Sequence, residues 1–264
     1  MMNLFSAAGR ACLDELAKPG SLCAFDFDGT LAPLVTQPER AYAPKNIISR
    51  LAELSNYAKI AIITGRSVAD VSDRLGFHPD YLVGNHGLEG MPGWQENAAE
   101  YREMCRQWLD TLRQKLPEHA EIDPNIWMED KTYSLSIHYR MARDRVGAEQ
   151  HLLALLPELL PSARIMAGKC VLNLLPPDAG GKGNAMAALL TASQASGALY
   201  VGDDVTDEDV FRMQHPELLS VRIGHEPRSS AKFFLAHRLC ILQLLDELLV
   251  RFRLANSITS RLAG

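Results

Sequence analysis

The sequence predicts an α/β fold: a Rossmann-like parallel sheet core with helices on both faces, interrupted by an inserted α+β domain. Three observations carry this. Short apolar runs with β-branched or aromatic residues recur at 22–27, 60–64, 81–83, 199–202 and 219–223. Helical patterns lie between several of them, and strands alternating with helices fold as a parallel sheet covered on both sides. From about 94 to 175 that rhythm breaks, with two helical stretches and four strand-like pieces in a different order.

In chain order, MMNLFSAAGRACLDELAKPG reads as a short helix stopped by Pro19 and Gly20. The run 22–27 is the first strand. PKNIISRLAELSNY from Pro44 and SVADVSDRLG from Ser67 are helical, the second with Ser67 as its N-cap. In the inserted stretch, helices are expected over 98–116 and 145–160, with two strands between them and two after. Its edges carry the turn residues MPG (91–93) and PPDAGG (176–181), which suit domain junctions. The expected domains are therefore a core of 1–93 with 176–264 and an α+β insertion of 94–175. GDDVTDED follows the 199–202 strand as an acidic helix start. The last segment, CILQLLDELLVRFRL, is interrupted by Asp246, Glu247, Arg251 and Arg253, so it reads as an amphipathic surface helix and falls short of a membrane span.

With 264 residues, 47% of them hydrophobic, two domains are affordable. The formal charge of −5 argues against a nucleic-acid partner, which needs clustered basic charge. No membrane association and no obligate protein partner are inferred. Cys12, Cys23, Cys105, Cys170 and Cys240 are scattered and odd in number, as reduced core residues of a cytoplasmic protein would be, and the N-terminus has no secretion-signal pattern.

FDFDGTL (25–31) puts Asp26 and Asp28 at the end of a buried strand, where they repel each other and lose hydration. In a parallel sheet the ligand crevice lies at the carboxyl ends of the strands. Thr64-Gly65-Arg66 and Gly202-Asp203-Asp204 are expected at that same edge. Acids gathered there are tolerated around a hard divalent cation such as Mg²⁺, which prefers oxygen ligands and keeps waters that a phosphate can replace. Each motif alone has an ordinary meaning: a turn, a capped helix, an acidic helix start or, for Lys182, an exposed lysine. Together and in this order they are harder to dismiss.

DFDGTL, TGR, GGKG and GDDVTDED resemble the four motifs of the haloacid dehalogenase superfamily of phosphatases, over 26–209, and the insertion looks like that superfamily's cap. GNHGLE at Gly84, MEDKTYSLSIHYR at Met128 and GKCVLNLLPPDAGGKGNAM at Gly168 narrow the resemblance to trehalose-6-phosphate phosphatases. Two positions depart from that pattern, Asn173 where the family usually has Glu and Leu175 where it usually has a basic residue.

The resemblance implies a Mg²⁺-dependent hydrolysis of trehalose 6-phosphate, the last step of trehalose biosynthesis. Asp26 would be the nucleophile, forming an aspartyl-phosphate, and Asp28 the acid and base, with its main-chain carbonyl on the metal. Asp26 and Asp203 would be metal ligands, with Asp204 and Asp207 orienting them from behind. Thr64 and Lys182 would hold the phosphoryl oxygens. Arg66 would either bind phosphate or pin its loop to neighbouring acids. Glu129, Lys131, Arg140 and Asn173 of the cap would bind the sugar; strand alternation puts Glu129 and Lys131 on one face, and Asn173 on a face with Val171 and Leu175. His86 and His138 read as structural histidines. The rival expectations are a phosphatase for another sugar phosphate, such as sucrose phosphate or mannosyl-phosphoglycerate, and a catalytically silent sugar-phosphate sensor.

Overall fold

The computed structural model describes residues 1–35, 37–91 and 93–262, so Pro92 of the MPG junction and the last two residues assigned to the core lie outside the described residues. The chain divides into two compact units, Met1–Gly90 with Gly181–Gly264, and Met91–Gly180.

The first unit carries strands β1 (Met2–Asn3), β2 (Leu22–Phe25), β3 (Lys59–Ile63) and β4 (Tyr81–Val83), with helices α1 (Ala7–Leu16), α2 (Lys45–Leu54) and α3 (Val68–Leu75). The second unit carries α4 (Gln95–Lys115), β5 (Trp127–Asp130), β6 (Leu135–His138), α5 (Arg145–Leu159), β7 (Arg164–Gly168) and β8 (Val171–Leu175). The chain then returns to the first unit as α6 (Lys182–Ser193), β9 (Ala198–Gly202), α7 (Glu208–Phe211), β10 (Leu218–Ile223), β11 (Phe233–Leu235) and α8 (Cys240–Leu262).

The seven core strands pair in the order β1-β11-β10-β9-β2-β3-β4, every neighbour parallel. Alternation along the strands separates two faces. Cys23, Phe25, Ile60, Ile62, Leu199 and Val201 join the core built with α1, α2, α3 and α8, whereas α6 packs on β3 from the other side. The helices follow their sequence signals: Ile47, Leu51 and Leu54 bury one face of α2, and Ser67 caps α3 by accepting from the Asp70 N–H at 3.2 Å. On α8, Ile241, Leu244, Leu245, Leu248 and Phe252 are buried. Among the described residues no helix is long and apolar enough to cross a membrane.

Three sequence expectations are corrected. The first strand ends at Phe25 rather than Phe27, because the chain turns at Gly29 (φ 81°) and the N–H groups of Leu31 and Ala32 donate to the Phe27 carbonyl. The two- and three-residue strands β1 and β11 were not expected, since runs that short carry no periodicity. Of the cysteines, Cys23 and Cys105 are core residues, while Cys12, Cys170 and Cys240 are half-buried; all five are free thiols.

In the second unit the strands form an antiparallel sheet, β5-β6-β8-β7. Leu135, Ile137, Leu172 and Leu174 point from one face into a core shared with Cys105, Trp108 and Leu112 of α4 and Leu152 and Leu156 of α5. Cross-strand pairing places Glu129, Ser136, Asn173 and Met166 in one row of the opposite face, and Trp127, His138 and Val171 in the next.

Candidate active site

The chain builds one half of the core sheet from β2 through β3 to β4, then returns beside β2 with β9 and continues outward. The strand order therefore reverses at β2 and β9, which is where open parallel sheets bind ligands. Asp26 leaves the end of β2 still tied to β9, its N–H donating to the Val201 carbonyl at 2.9 Å. It keeps the alternation of Leu22 and Ala24, on the side opposite the α2–α8 core. There Lys182, the first residue of α6, extends its Nζ to Asp26 Oδ1 and Asp207 Oδ1, both at 2.7 Å. Lys182 is 2% exposed, so the exposed-lysine interpretation does not hold. The trio is a buried cation shared by two buried carboxylates.

Asp207 is the better satisfied of the two. Its Oδ1 accepts from Lys182 and from the Tyr200 hydroxyl at 2.7 Å, and its Oδ2 from the Asp203 and Asp204 N–H groups at 2.8 Å each. Burial pushes this carboxyl's pKa up, but Lys182 and the donors around it bring it below the usual carboxylate range. Asp26 has Lys182 alone against burial, Asp207 and Asp203, and its pKa is raised well above the ordinary value. Burial and the adjacent carboxylates likewise raise the Tyr200 hydroxyl, which stays a donor.

One carboxylate oxygen from each of Asp26, Asp203 and Asp207 lies within 4.8 Å of the others. This all-oxygen, buried set fits a hard divalent cation. Since Asp207 already accepts four hydrogen bonds, Asp26 and Asp203 are the ligands this geometry favours, with Asp207 fixing the loop that carries Asp203. Asp204 completes that loop by accepting from the Asp207 N–H while Asp207 accepts from its own. Behind them Glu208 accepts from Arg222 (3.2 Å) and the Ser230 N–H (2.9 Å), anchoring the loop to β10. Gly29 is required here twice over: its φ is positive, and a Cβ would overlap the Asp203 carboxylate.

Asp28, two residues beyond Asp26, is held by Arg66, whose Nε and Nη2 donate to its two oxygens at 2.6 and 2.9 Å. Arg66 also donates to Asp70 (2.6 Å) and the Pro38 carbonyl (2.9 Å), and Asp70 in turn pairs with Arg74. Of the two roles expected for Arg66, the structure therefore shows the one that pins the loop to neighbouring acids. Thr64 is fully buried, and its Oγ1 accepts from the Arg66 N–H at 3.2 Å. The adjoining GNHG loop holds Asn85 and His86 at φ 49° and 59°, and His86 N–H donates to the Thr64 carbonyl. Consecutive left-handed residues are strained, and such strain gathers at functional loops.

In the second unit, Glu129 Oε2 meets His138 Nε2 at 2.8 Å, and the His138 ring stacks on Trp127 with centroids 4.0 Å apart. Lys131 lies just past the end of β5, where its N–H donates to the Ser134 carbonyl, so the strand alternation invoked for it stops one residue short. Asn173 shares its face with Val171 and Leu175, opposite Leu172 and Leu174; it is buried and accepts from Ser136 Oγ at 2.7 Å. Arg140 donates to the Lys169 carbonyl in the β7–β8 turn. Asp26, Lys182, Asp203, Asp204 and Asp207 thus form one group, Asp28 and Arg66 a second, and the expected sugar ligands occupy the polar face of the smaller sheet and its edges. Tyr200, Asp70, Glu208 and Trp127 were not expected, since each has an ordinary sequence context, and His138 was set aside as structural.

A sequence model of the trehalose-phosphatase family matches residues 24–238. Trehalose-phosphate phosphatases of Mycobacterium tuberculosis and Mycobacterium marinum are 32% identical over 212 residues and 30% identical over 246 residues. These matches cover 76% and 88% of this chain, but only 53% and 61% of the relatives, so the chain spans somewhat more than half the length of the curated proteins it matches. The C-terminal domain of the Candida albicans trehalose-6-phosphate phosphatase has the same fold, with a TM-score of 0.72 at 21% identity over 94% of this chain and 97% of that one. The family match covers both the paired acids just after β2 and the acidic loop after β9, and on it the chain belongs to the trehalose-phosphatase family, on a haloacid dehalogenase-type fold.

Proposed function

We propose that the chain hydrolyses trehalose 6-phosphate to trehalose and phosphate through a phosphoryl-Asp26 intermediate, with Mg²⁺ as its metal. The observation that carries this is the Asp26 carboxylate at the switch point of the sheet, one oxygen on Lys182 and the other groups of the metal set beside it. An Asp26 oxygen attacks phosphorus while the bond from phosphorus to the sugar oxygen breaks, and Asp28 gives that oxygen its proton. Water then attacks the phosphoryl group, Asp28 takes back a proton, and the Asp26–phosphorus bond breaks. When bound, the metal offsets the negative charge of the acids and the phosphoryl group, which favours the ionised form of Asp26. Lys182 and Thr64 hold the phosphoryl oxygens. Arg66 keeps Asp28 oriented rather than binding phosphate itself.

Glu129, Lys131, Arg140 and Asn173 take the sugar hydroxyls, and the inserted unit acts as the cap that selects the substrate. Asn173 and Leu175, where the family pattern has Glu and a basic residue, leave sucrose phosphate and mannosyl-phosphoglycerate as the competing substrates. A silent sugar-phosphate sensor is disfavoured by the presence of Asp26, Asp28, Lys182 and Asp203 together. A small sugar phosphate, with neither nucleic acid nor membrane nor an obligate protein partner, and a cytoplasmic setting complete the proposal.

The role of Asp28 gives a test by leaving group. A sugar alkoxide needs a proton, whereas p-nitrophenolate leaves without one. Asp28→Asn is expected to slow single-turnover phosphoryl transfer from trehalose 6-phosphate by about 10²-fold or more, and far less from p-nitrophenyl phosphate. Equal losses on the two substrates would remove Asp28 from the acid role.

A further inference from the structure

We propose that His138, braced by Trp127, is a positioning residue that holds the Glu129 carboxylate ready for a sugar hydroxyl. This rests on taking Glu129 as a sugar ligand. The three side chains lie on the polar face of the β5-β6-β8-β7 sheet, with Trp127 directly opposite His138 and Glu129 diagonal to it. His138 Nε2 and Glu129 Oε2 lie 2.8 Å apart, and because an ionised carboxylate only accepts, the pairing with ionised Glu129 is the one in which the His138 Nε2–H donates.

The brace is the unusual part. Trp127 is 42% exposed, yet its ring lies only 11° from the plane of the His138 ring at 4.0 Å between centroids. Flat stacking on a neighbour in the same cross-strand pair restricts rotation of the imidazole, which keeps Nε2 aimed at Glu129. Glu129 has three side-chain torsions, and its carboxylate would otherwise lose that freedom when ligand binds. Fixing it beforehand removes part of the ordering cost of binding. The Glu129 side chain remains 32% accessible and that of His138 only 16%, so the acid faces outward while its support is covered.

The row that holds Glu129 explains why one carboxylate matters so much. Asn173 is uncharged, and its Oδ1 already accepts from Ser136. Asp130, the other acid within these four strands, lies on the opposite alternation from Glu129. Among the described residues of the polar face, Glu129 is the acid that a hydroxyl donor would meet.

The experiment compares steady-state kinetics on trehalose 6-phosphate and on p-nitrophenyl phosphate for the wild type, Glu129→Ala, His138→Ala, His138→Gln, Trp127→Ala, Trp127→Phe and the Glu129→Ala/His138→Ala double variant. His138→Ala should raise KM for the sugar phosphate about tenfold, with kcat and the aryl phosphate kinetics nearly unchanged. His138→Gln keeps an N–H donor and Trp127→Phe keeps an aromatic face, so each should recover most of the loss of its alanine counterpart. The double variant should be no worse than Glu129→Ala alone, because His138 acts through Glu129. If Glu129→Ala raises KM but His138→Ala does not, the positioning role is overturned and the sugar-ligand role of Glu129 survives. Independent, additive losses, a failure of glutamine to rescue, or equal damage to both substrates also overturn it. If Glu129→Ala itself leaves KM unchanged, the sugar-ligand role has failed, and the inference built on it falls too.

Discussion

Asp26→Asn should reduce turnover of any phosphate monoester by on the order of 10⁴-fold or more, the scale on which loss of a covalent nucleophile is felt. The amide keeps the shape of the side chain but has no charge to attack phosphorus. The fold should survive, because Lys182 retains Asp207 as its partner and the repulsion of Asp26 by Asp203 and Asp207 is removed with the charge. Phosphate release and a thermal melt on the same preparation separate the two effects. A variant that melts like the wild type and still turns over within about tenfold of it would show that Asp26 is not the nucleophile.

Lys182→Met should have the largest effect on stability. It keeps the length of the stem but leaves Asp26 and Asp207 buried with no cation between them, and breaking a buried ion pair from one side costs about 3–5 kcal/mol. The loss has a pH sign. Burial already raises Asp26 above its ordinary pKa, and removing Lys182, which opposes that shift, raises it further. A carboxyl raised in the folded state supports folding below its unfolded pKa, about 3.9, and that support disappears as pH rises through the higher folded value. In chelator-treated protein, the deficit of Lys182→Met relative to wild type should therefore be larger at pH 8 than at pH 5. Adding Asp26→Asn to Lys182→Met should restore part of the stability. A small loss with no pH dependence would mean that Lys182 is not the counter-charge of this cluster.

How far the sequence reaches toward this site depends on whether a residue acts locally. FDFDGTL, TGR and GDDVTDED could be placed at one edge because each follows an apolar run that the structure makes a strand, and parallel strands bring their carboxyl ends together. The N-cap at Ser67 was equally visible, since its partner is only three residues away. Tyr200 was not, because an aromatic residue in LYVG reads as core until the acceptor of its hydroxyl, Asp207, is seen to fold back under the strand. Arg66 was ambiguous for the same reason: its grip on Asp28 spans 38 positions, from the loop after β3 to the loop after β2. His138 looked structural, and its contact with Glu129 appears only once the register of β5 and β6 is fixed.

The substrate is the central claim, and initial rates of phosphate release from trehalose 6-phosphate, sucrose 6-phosphate and glucose 6-phosphate, with Mg²⁺ and after exhaustive chelation, test it most directly. The highest kcat/KM is predicted for trehalose 6-phosphate, with activity lost on chelation and restored by Mg²⁺. A preference for either of the other sugar phosphates, or full activity without a divalent metal, would contradict the proposed function.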